Sequence, residues 1–276
     1  MAYAALTTAL LGLRAVAVVG ADGIAAGAAE FELLRAAGVA VQVVPLAQGP
    51  IFENVETPSG RVQTCVEPGD PLPVVAILPA WARAPSWLIV PVSDEILPEW
   101  AAIVPEQARL TLGWQGLLRV LVAGQRTGRK APVRSALLSR ADIVGVSRED
   151  LGRETSLEAA GACLTHGSRL VVTEGDAGGV IITTGDRAAG SHLRYRALAA
   201  RQVDLTGAGD VFLAALAASA TIRNQPATRD AGLTPEDARY AAAAGALAVE
   251  GIGLSAVPDR AAIESRLAGE ARRRAV

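Results

Sequence analysis

The chain has 276 residues, of which 51% are hydrophobic and 20% charged, the composition of a folded globular protein and not of a disordered or fibrous one. Its 26 basic and 28 acidic residues leave a net charge of −2 with no basic cluster, which excludes the electrostatic footprint of a nucleic-acid binder. Cys65 and Cys163 match no metal-ligand spacing and are too few to staple a chain this long, so a reduced compartment, the cytoplasm, is expected.

The apolar stretch from Met1 to Gly20 has no Lys or Arg before it and is interrupted by Arg14, which fits neither a signal peptide nor a spanning helix; no membrane partner is expected. Within it, Ala15–Gly20 predicts a strand that leads through Ala21-Asp22-Gly23 into a helix over Ala25–Ala37. Gly38 closes that helix, and Val39–Val44 is the next strand, a β-α-β unit expected to lie parallel. Ile51–Glu56 and Arg61–Glu67 alternate around Thr57-Pro58-Ser59-Gly60, a turn tetrapeptide, and predict a hairpin outside the main sheet. Prolines recur from Pro71 to Pro105 around one strand at Trp87–Val92. Trp81, Trp87, Trp100 and Trp114 fit packing better than a ligand pocket. Strands follow at Leu110–Gly113, Ala141–Val146, Arg169–Thr173, Gly179–Thr184 and Leu193–Ala197, the first three separated by helical stretches. Two final helices are expected, one opening near Gly209 and running through Ala220, the other at Thr234-Pro235-Glu236-Asp237. There Thr as N-cap, Pro at the first helical position and two acids mark the start.

Chemistry concentrates in Asp204-Leu205-Thr206-Gly207-Ala208-Gly209-Asp210, which runs directly into the apolar helix from Val211. Small residues at Gly207, Ala208 and Gly209 let backbone approach a ligand, and N–H groups at a helix N-terminus favour an anion. An acid on the first turn of that helix, Asp210, is placed to accept the proton of an attacking hydroxyl. The plain alternative is a helix cap on an ordinary glycine turn. Other nucleotide-binding patterns fail: Gly20-x-x-Gly23 is not a dinucleotide fingerprint, the stretch Gly124–Lys130 lacks the spacing of a P-loop, and His166 and His192 have no Ser or Cys beside them.

The complete string resembles the DTxGAGD signature of the ribokinase-like, or PfkB, family of carbohydrate kinases, and the likeness extends along the chain. Ala141–Val144 with Ser147-Arg148-Glu149-Asp150 resembles the family's strand and Asn-x-x-Glu segment, with Ser147 and Asp150 at the polar and acidic positions. Val171-Val172-Thr173-Glu174-Gly175, followed by Gly178, is similar to its Val-Thr-x-Gly loop. Tyr240–Leu247, including Ala242, resembles the small-residue helix beside adenine, and Gly253 falls at a loop glycine. At the front, Val19–Gly23 and Gly38-Val39 resemble the Gly-Asp-Asp motif and its Gly-Val turn. The family's sugar-contacting Asp and Gly-Gly-x-x-x-Asn stretch have no counterpart in this sequence, so its sugar-recognition residues do not carry over.

The resemblance implies a three-layer α/β/α fold with a mostly parallel, Rossmann-like central sheet, one kinase domain over residues 1–276, and a lid reduced to a two-stranded hairpin inserted at about residues 49–68. It implies transfer of the γ-phosphoryl of MgATP to a hydroxyl of a small sugar, polyol or nucleoside, with Asp210 as base and the amides of Gly207, Ala208 and Gly209 holding the phosphoryl charge. Ser147, Asp150, Thr173, Gly175, Gly178, Thr206, Ala242 and Gly253 would line the nucleotide. Asp150 would serve Mg2+, and Asp204, with Ser255, a monovalent cation such as K+. Gln115 and Arg119, after the strand at Leu110–Gly113, are candidates for substrate or γ-phosphate, with a surface arginine on a short helix as the equal alternative. The hairpin lid could pair two subunits into a homodimer. The alternative function is a catalytically impaired relative that binds nucleotide or sugar as a regulator.

Overall fold

The structure is a computed structural model and describes residues 1–57, 60–74, 77–185, 192–223 and 232–274. In chain order the elements are α1 (Ala2–Leu10), β1 (Val16–Ala21), α2 (Ala29–Ala36), β2 (Ala40–Pro45), β3 (Ile51–Thr57), β4 (Gly60–Glu67), α3 (Pro79–Ala82), β5 (Ser86–Ile89), α4 (Trp100–Ile103), β6 (Arg109–Gly113), β7 (Arg119–Val120), β8 (Gln125–Arg126), β9 (Gly128–Arg129), α5 (Ala136–Arg140), β10 (Ile143–Ser147), α6 (Arg148–Leu151), α7 (Leu157–Gly161), β11 (Arg169–Thr173), β12 (Gly179–Thr183), β13 (His192–Tyr195), α8 (Ala208–Ile222), α9 (Pro235–Ala248) and α10 (Arg260–Arg274).

Six strands form the central sheet in the order β13-β12-β11-β10-β6-β5. The pairs β5–β6, β6–β10 and β10–β11 are parallel, and β12 and β13 close the edge antiparallel. The expected β-α-β unit is present as the parallel pair β1–β2, which forms its own two-stranded sheet. Apolar side chains alternate along the strands and so feed two cores. Ile143, Val171 and Ile181 face the helices α1, α8 and α9, whereas Val144, Leu170, Val172 and Val180 face α5, α6 and α7 with Trp100 and Trp114. This is the three-layer α/β/α arrangement. Packing accounts for the tryptophans that are buried: Trp114 is 2% exposed, and the Trp100 indole N–H donates to the carbonyl of Leu72 at 2.9 Å.

Helix α8 is buried at every position from Val211 to Ala220, the pattern of a helix enclosed on all sides and not of a surface stripe. Its neighbour α9 begins in a complete capping box: the Thr234 hydroxyl accepts from the amide of Asp237 at 3.2 Å, and the Asp237 carboxylate accepts from the amide of Thr234 at 2.8 Å. Arg223 pairs with the buried Asp237 at 2.6 Å. Loss of the cap hydroxyl in Thr234→Ala is expected to lower the unfolding free energy by about 1 kcal/mol in urea titration, and an unchanged midpoint would contradict the box as a source of stability.

The apolar start holds helix α1, on which the sequence reading made no assignment and in which the Thr7 and Thr8 hydroxyls donate back to the carbonyls of Tyr3 and Ala4. Three sequence expectations are corrected. The helix expected over Ala25–Ala37 shortens to a 3-10 turn at Ala25–Gly27 and α2, because Ala28 turns extended between them. A third C-terminal helix, α10, follows α9, its start capped by Asp259, which accepts from the amide of Ala262 at 2.8 Å. The lid has three strands, not two: β8 pairs with β4 at Thr64↔Arg126 and Cys65↔Gln125. The hairpin β3–β4 is as expected, although Pro58-Ser59 of its turn lies outside the described residues. Among the described residues no helix is long and apolar enough to cross a membrane.

Candidate active site

The parallel topology delivers the ends of β6, β10 and β11 to one edge of the sheet, where Gln115, Ser147 and Thr173 follow or end their strands; Ser147 and Thr173 are direct register partners. Helix α8 begins with Gly207 in the left-handed conformation at φ +78°, which a residue with a side chain adopts only with strain. The Asp204 carboxylate accepts from the amide of Thr206 at 2.9 Å and shapes the turn into it. The amides of Ala208 and Val211 are bonded to the carbonyls of Leu205 and Gly207, whereas those of Gly209 and Asp210 have no acceptor among the described residues. Two orphan donors at a helix N-terminus favour an anion.

The glycines differ in what surrounds them. A Cβ on Gly209 would meet nothing within 4 Å, so its face is open. A Cβ on Gly207 would lie 2.3 Å from the Tyr3 ring, so α1 packs an aromatic side chain directly on the start of α8. Burial, and next the carboxylates of Asp204 and Asp210, hold the Tyr3 phenol above its ordinary pKa. The Asp210 carboxylate is partly exposed and accepts from the Met1 amino nitrogen at 3.1 Å. Tyr3 and Met1 were not flagged by sequence reasoning. The back-bonding threonines and apolar period of α1 were the available signal.

A model of the "pfkB family carbohydrate kinase" matches residues 119–260, just over half of the 276 residues. The chain belongs to the pfkB family of carbohydrate kinases. Among solved structures it is similar to ribokinase of Thermotoga maritima, with 18% identity, TM-score 0.67 and coverage of 96% of this chain and 86% of that one. It is similar to ribokinase of Arabidopsis thaliana, solved with ribose and ATP, with 21% identity, TM-score 0.66 and the same coverages. It is similar, too, to a pyrophosphate-dependent kinase in the ribokinase family, with 16% identity, TM-score 0.70 and coverage of 96% and 90%. At these identities the likeness is one of fold. No curated protein sequence matches the chain.

In this pfkB-family chain the segment after β10 forms a compact polar knot. Ser147 caps α6 by accepting from the amide of Asp150 at 2.9 Å and donates its own hydroxyl to Asp150 Oδ2 at 2.5 Å. The Gln115 side-chain amide reaches the same oxygen at 3.0 Å. Gln115, Ser147 and Asp150 therefore come together as one group, while no bond among the described residues falls on Asp150 Oδ1. Arg119 stands next to them. Burial holds its guanidinium pKa below the ordinary arginine value, and the nearby carboxylates of Asp150 and then Glu95 counter that only in part. It donates to the carbonyl of Val92 at 2.6 Å.

The other predicted positions divide. Thr173 ends β11, and the following loop closes by the bond from the Glu174 amide to the Gly178 carbonyl at 2.8 Å. Gly175 has open space around it at φ +60°, whereas Gly178 is buried and a Cβ there would lie 2.2 Å from the carbonyl oxygen of Tyr195. Gly178 thus serves the chain's own packing against β13. Ala242 is 7% exposed and points into the core against α8, and Gly253 lies in an open turn at φ +63°. The Ser255 hydroxyl donates to the carbonyl of Ile252 in its own turn, as Asp204 serves Thr206; no described contact joins Ser255 to Asp204.

Among the described residues no cluster of three or more His, Cys, Asp or Glu could hold a metal ion unaided. The Asp150 carboxylate offers one hard oxygen, the donor type of Mg2+, which keeps its waters and binds through one or two carboxylates plus phosphate oxygens.

Proposed function

We propose that the protein transfers the γ-phosphoryl group of MgATP to a hydroxyl of a small sugar, polyol or nucleoside. The observation that carries this reading is the start of α8, where the unbonded amides of Gly209 and Asp210 share one helical turn with the Asp210 carboxylate. The acceptor hydroxyl oxygen attacks the γ-phosphorus, its proton passes to Asp210, and the bond from phosphorus to the ADP oxygen breaks. The amides of Gly209 and Asp210, which the turn leaves without an acceptor among the described residues, bind oxygens of the transferring group beside Gly207 and Ala208, which shape the turn, and the helix dipole adds to their field. Thr173, Gly175, Thr206 and Gly253 face the nucleotide from their loops, Gly178 and Ala242 shape its seat from behind, and Gln115 and Arg119 hold phosphate or acceptor oxygens. Asp150 would hold Mg2+, held in turn by Ser147 and Gln115; the ion supplies neutralisation of phosphate charge. Asp204 with Ser255 would serve a monovalent cation such as K+.

We further read residues 1–276 as one kinase domain in the cytoplasm, a placement that the free, buried Cys65 and Cys163 favour, and the lid as the contact of a homodimer, on which Ile51 and Val55 are exposed. The second reading, a regulator that binds nucleotide or sugar without turnover, is favoured by Tyr3 and the Met1 amino group lying against Gly207 and Asp210.

ADP release from MgATP across a panel of sugars, polyols and nucleosides tests the first reading, with a parallel arm supplying pyrophosphate as donor and measuring phosphate. One acceptor that stimulates ADP release supports the kinase; turnover with pyrophosphate alone replaces ATP as donor; binding of ATP with no turnover for any acceptor supports the regulator. Asp150→Ala is expected to raise the Mg2+ concentration for half-maximal rate about tenfold or more, and an unchanged requirement would remove Asp150 from the metal.

A further inference from the structure

We propose that Phe52, on the lid, is a positioning residue for Arg119: its ring holds the guanidinium beside Asp150 and Glu95, so that seating of the lid and aiming of Arg119 are one event. The kinetic half of this rests on the kinase reading above; the structural half does not.

The Arg119 guanidinium carbon lies 5.4 Å from the centre of the Phe52 ring, in range for attraction between a cation and an aromatic face. The chain makes a closed circuit through the same two residues. Arg119 opens β7, which pairs with β9 at Arg119↔Arg129. Between these strands the chain runs out to the lid as β8, where Gln125 pairs with Cys65 and the amides of Gly124 and Thr127 donate to the carbonyls of Cys65 and Gln63, each at 2.8 Å. Cys65, fully buried, is the direct register partner of Phe52, whose ring returns to Arg119. One rung, Phe52–Cys65–Gln125, therefore ties the lid to Arg119 twice, once through the ring and once through the backbone.

The ring also fits the electrostatics. Arg119 is drawn by the carboxylates of Asp150 and Glu95, and Glu95 is itself fixed by accepting from the amides of Val92 and Ser93. An aromatic face orients the guanidinium without cancelling its charge, so the cation stays available to a phosphoryl oxygen. With the lid lifted, Arg119 loses the ring and only the Val92 carbonyl and the two acids direct it. The circuit makes lid closure a condition of full phosphoryl stabilisation.

The test uses the full chain with Phe52→Leu, which keeps an apolar side chain of similar bulk, and Phe52→Trp, which keeps an aromatic face. Without any ligand, hydrogen exchange in Phe52→Leu is expected to rise in peptides covering residues 115–130 as well as in 51–67, and Phe52→Trp is expected to restore it. The reverse variant, Arg119→Ala, is expected to raise exchange in 51–55. Faster exchange confined to 51–67 in Phe52→Leu, or an unaltered lid in Arg119→Ala, overturns the coupling whether or not the protein is a kinase. With an active acceptor, kcat is expected to fall about 3- to 30-fold in Phe52→Leu with the KM for ATP changed less than about twofold, and to recover in Phe52→Trp. A rise in KM alone, or equal loss in both variants, would mean that Phe52 only packs the lid.

Discussion

Asp210→Asn is expected to lower phosphoryl transfer by about 10²- to 10⁴-fold while leaving affinity for ATP within about twofold, the size of a lost general base. Asn has the same shape and stands on the same first turn of α8, so the amides of Gly209 and Asp210 keep their positions. What disappears is the carboxylate that can take the hydroxyl proton. The effect on folding is small, because an acid in the first turn of a helix contributes about 0.3–1 kcal/mol through the dipole and Asp210 is partly exposed. The measurement is steady-state ADP release with the best acceptor, beside titration calorimetry with ATP. An Asn variant that keeps more than a tenth of the wild-type rate would remove Asp210 as base, and one that loses ATP binding as well would point to collapse of the turn.

Gly207→Ala is expected to act on fold and rate together. At φ +78° an alanine carries a cost of about 1–2 kcal/mol for the left-handed conformation, and its methyl group would also lie 2.3–2.5 Å from three carbons of the Tyr3 ring. Either the ring leaves or the turn flattens; a flattened turn redirects the anion-binding amides, for which a loss of about 10²- to 10³-fold in kcat is the scale of one missing donor. Gly209→Ala is the control within the same motif, since a Cβ there meets nothing within 4 Å and its φ is not positive. Its melting temperature should match wild type while that of Gly207→Ala falls by several degrees. Combining Gly207→Ala with Tyr3→Ala should relieve the clash but not the backbone cost, so recovery is partial. Full recovery would assign the entire effect to Tyr3, and no destabilisation in the single variant would contradict the geometry of the turn.

What the sequence made legible follows the range of the interactions. Asp204 to Asp210 and Thr234 to Asp237 are encoded by neighbours a few residues apart, so the turn, the helix starts and the cap could all be read directly. The alternation of strand and helix gave the sheet, because buried parallel strands leave continuous apolar runs such as Arg169–Thr173. The knot of Gln115, Ser147 and Asp150 was nominated residue by residue, but its convergence needs a contact across 35 positions. Strand β8 is two residues long and polar, and it exists only because β4 offers an edge; no periodicity marks it. Phe52 and Glu95 gave no sign, since their partners, Arg119 and the Val92–Ser93 amides, become neighbours only in the folded chain. Helix α10 was missed because its Arg- and Glu-rich surface outweighs the single fully buried Ile263.

The origin of the lid's third strand has a further consequence for how the chain assembles. A hairpin such as β3–β4 forms from adjacent segments in microseconds, but its outer rung is completed by Gln125, sixty positions beyond Cys65. During synthesis the lid is therefore left with an open edge until the segment after β6 has emerged, and with it a strand able to recruit foreign chains. The dependence is one of contact order: the lid is expected among the last parts to become protected, after the sheet that later anchors it.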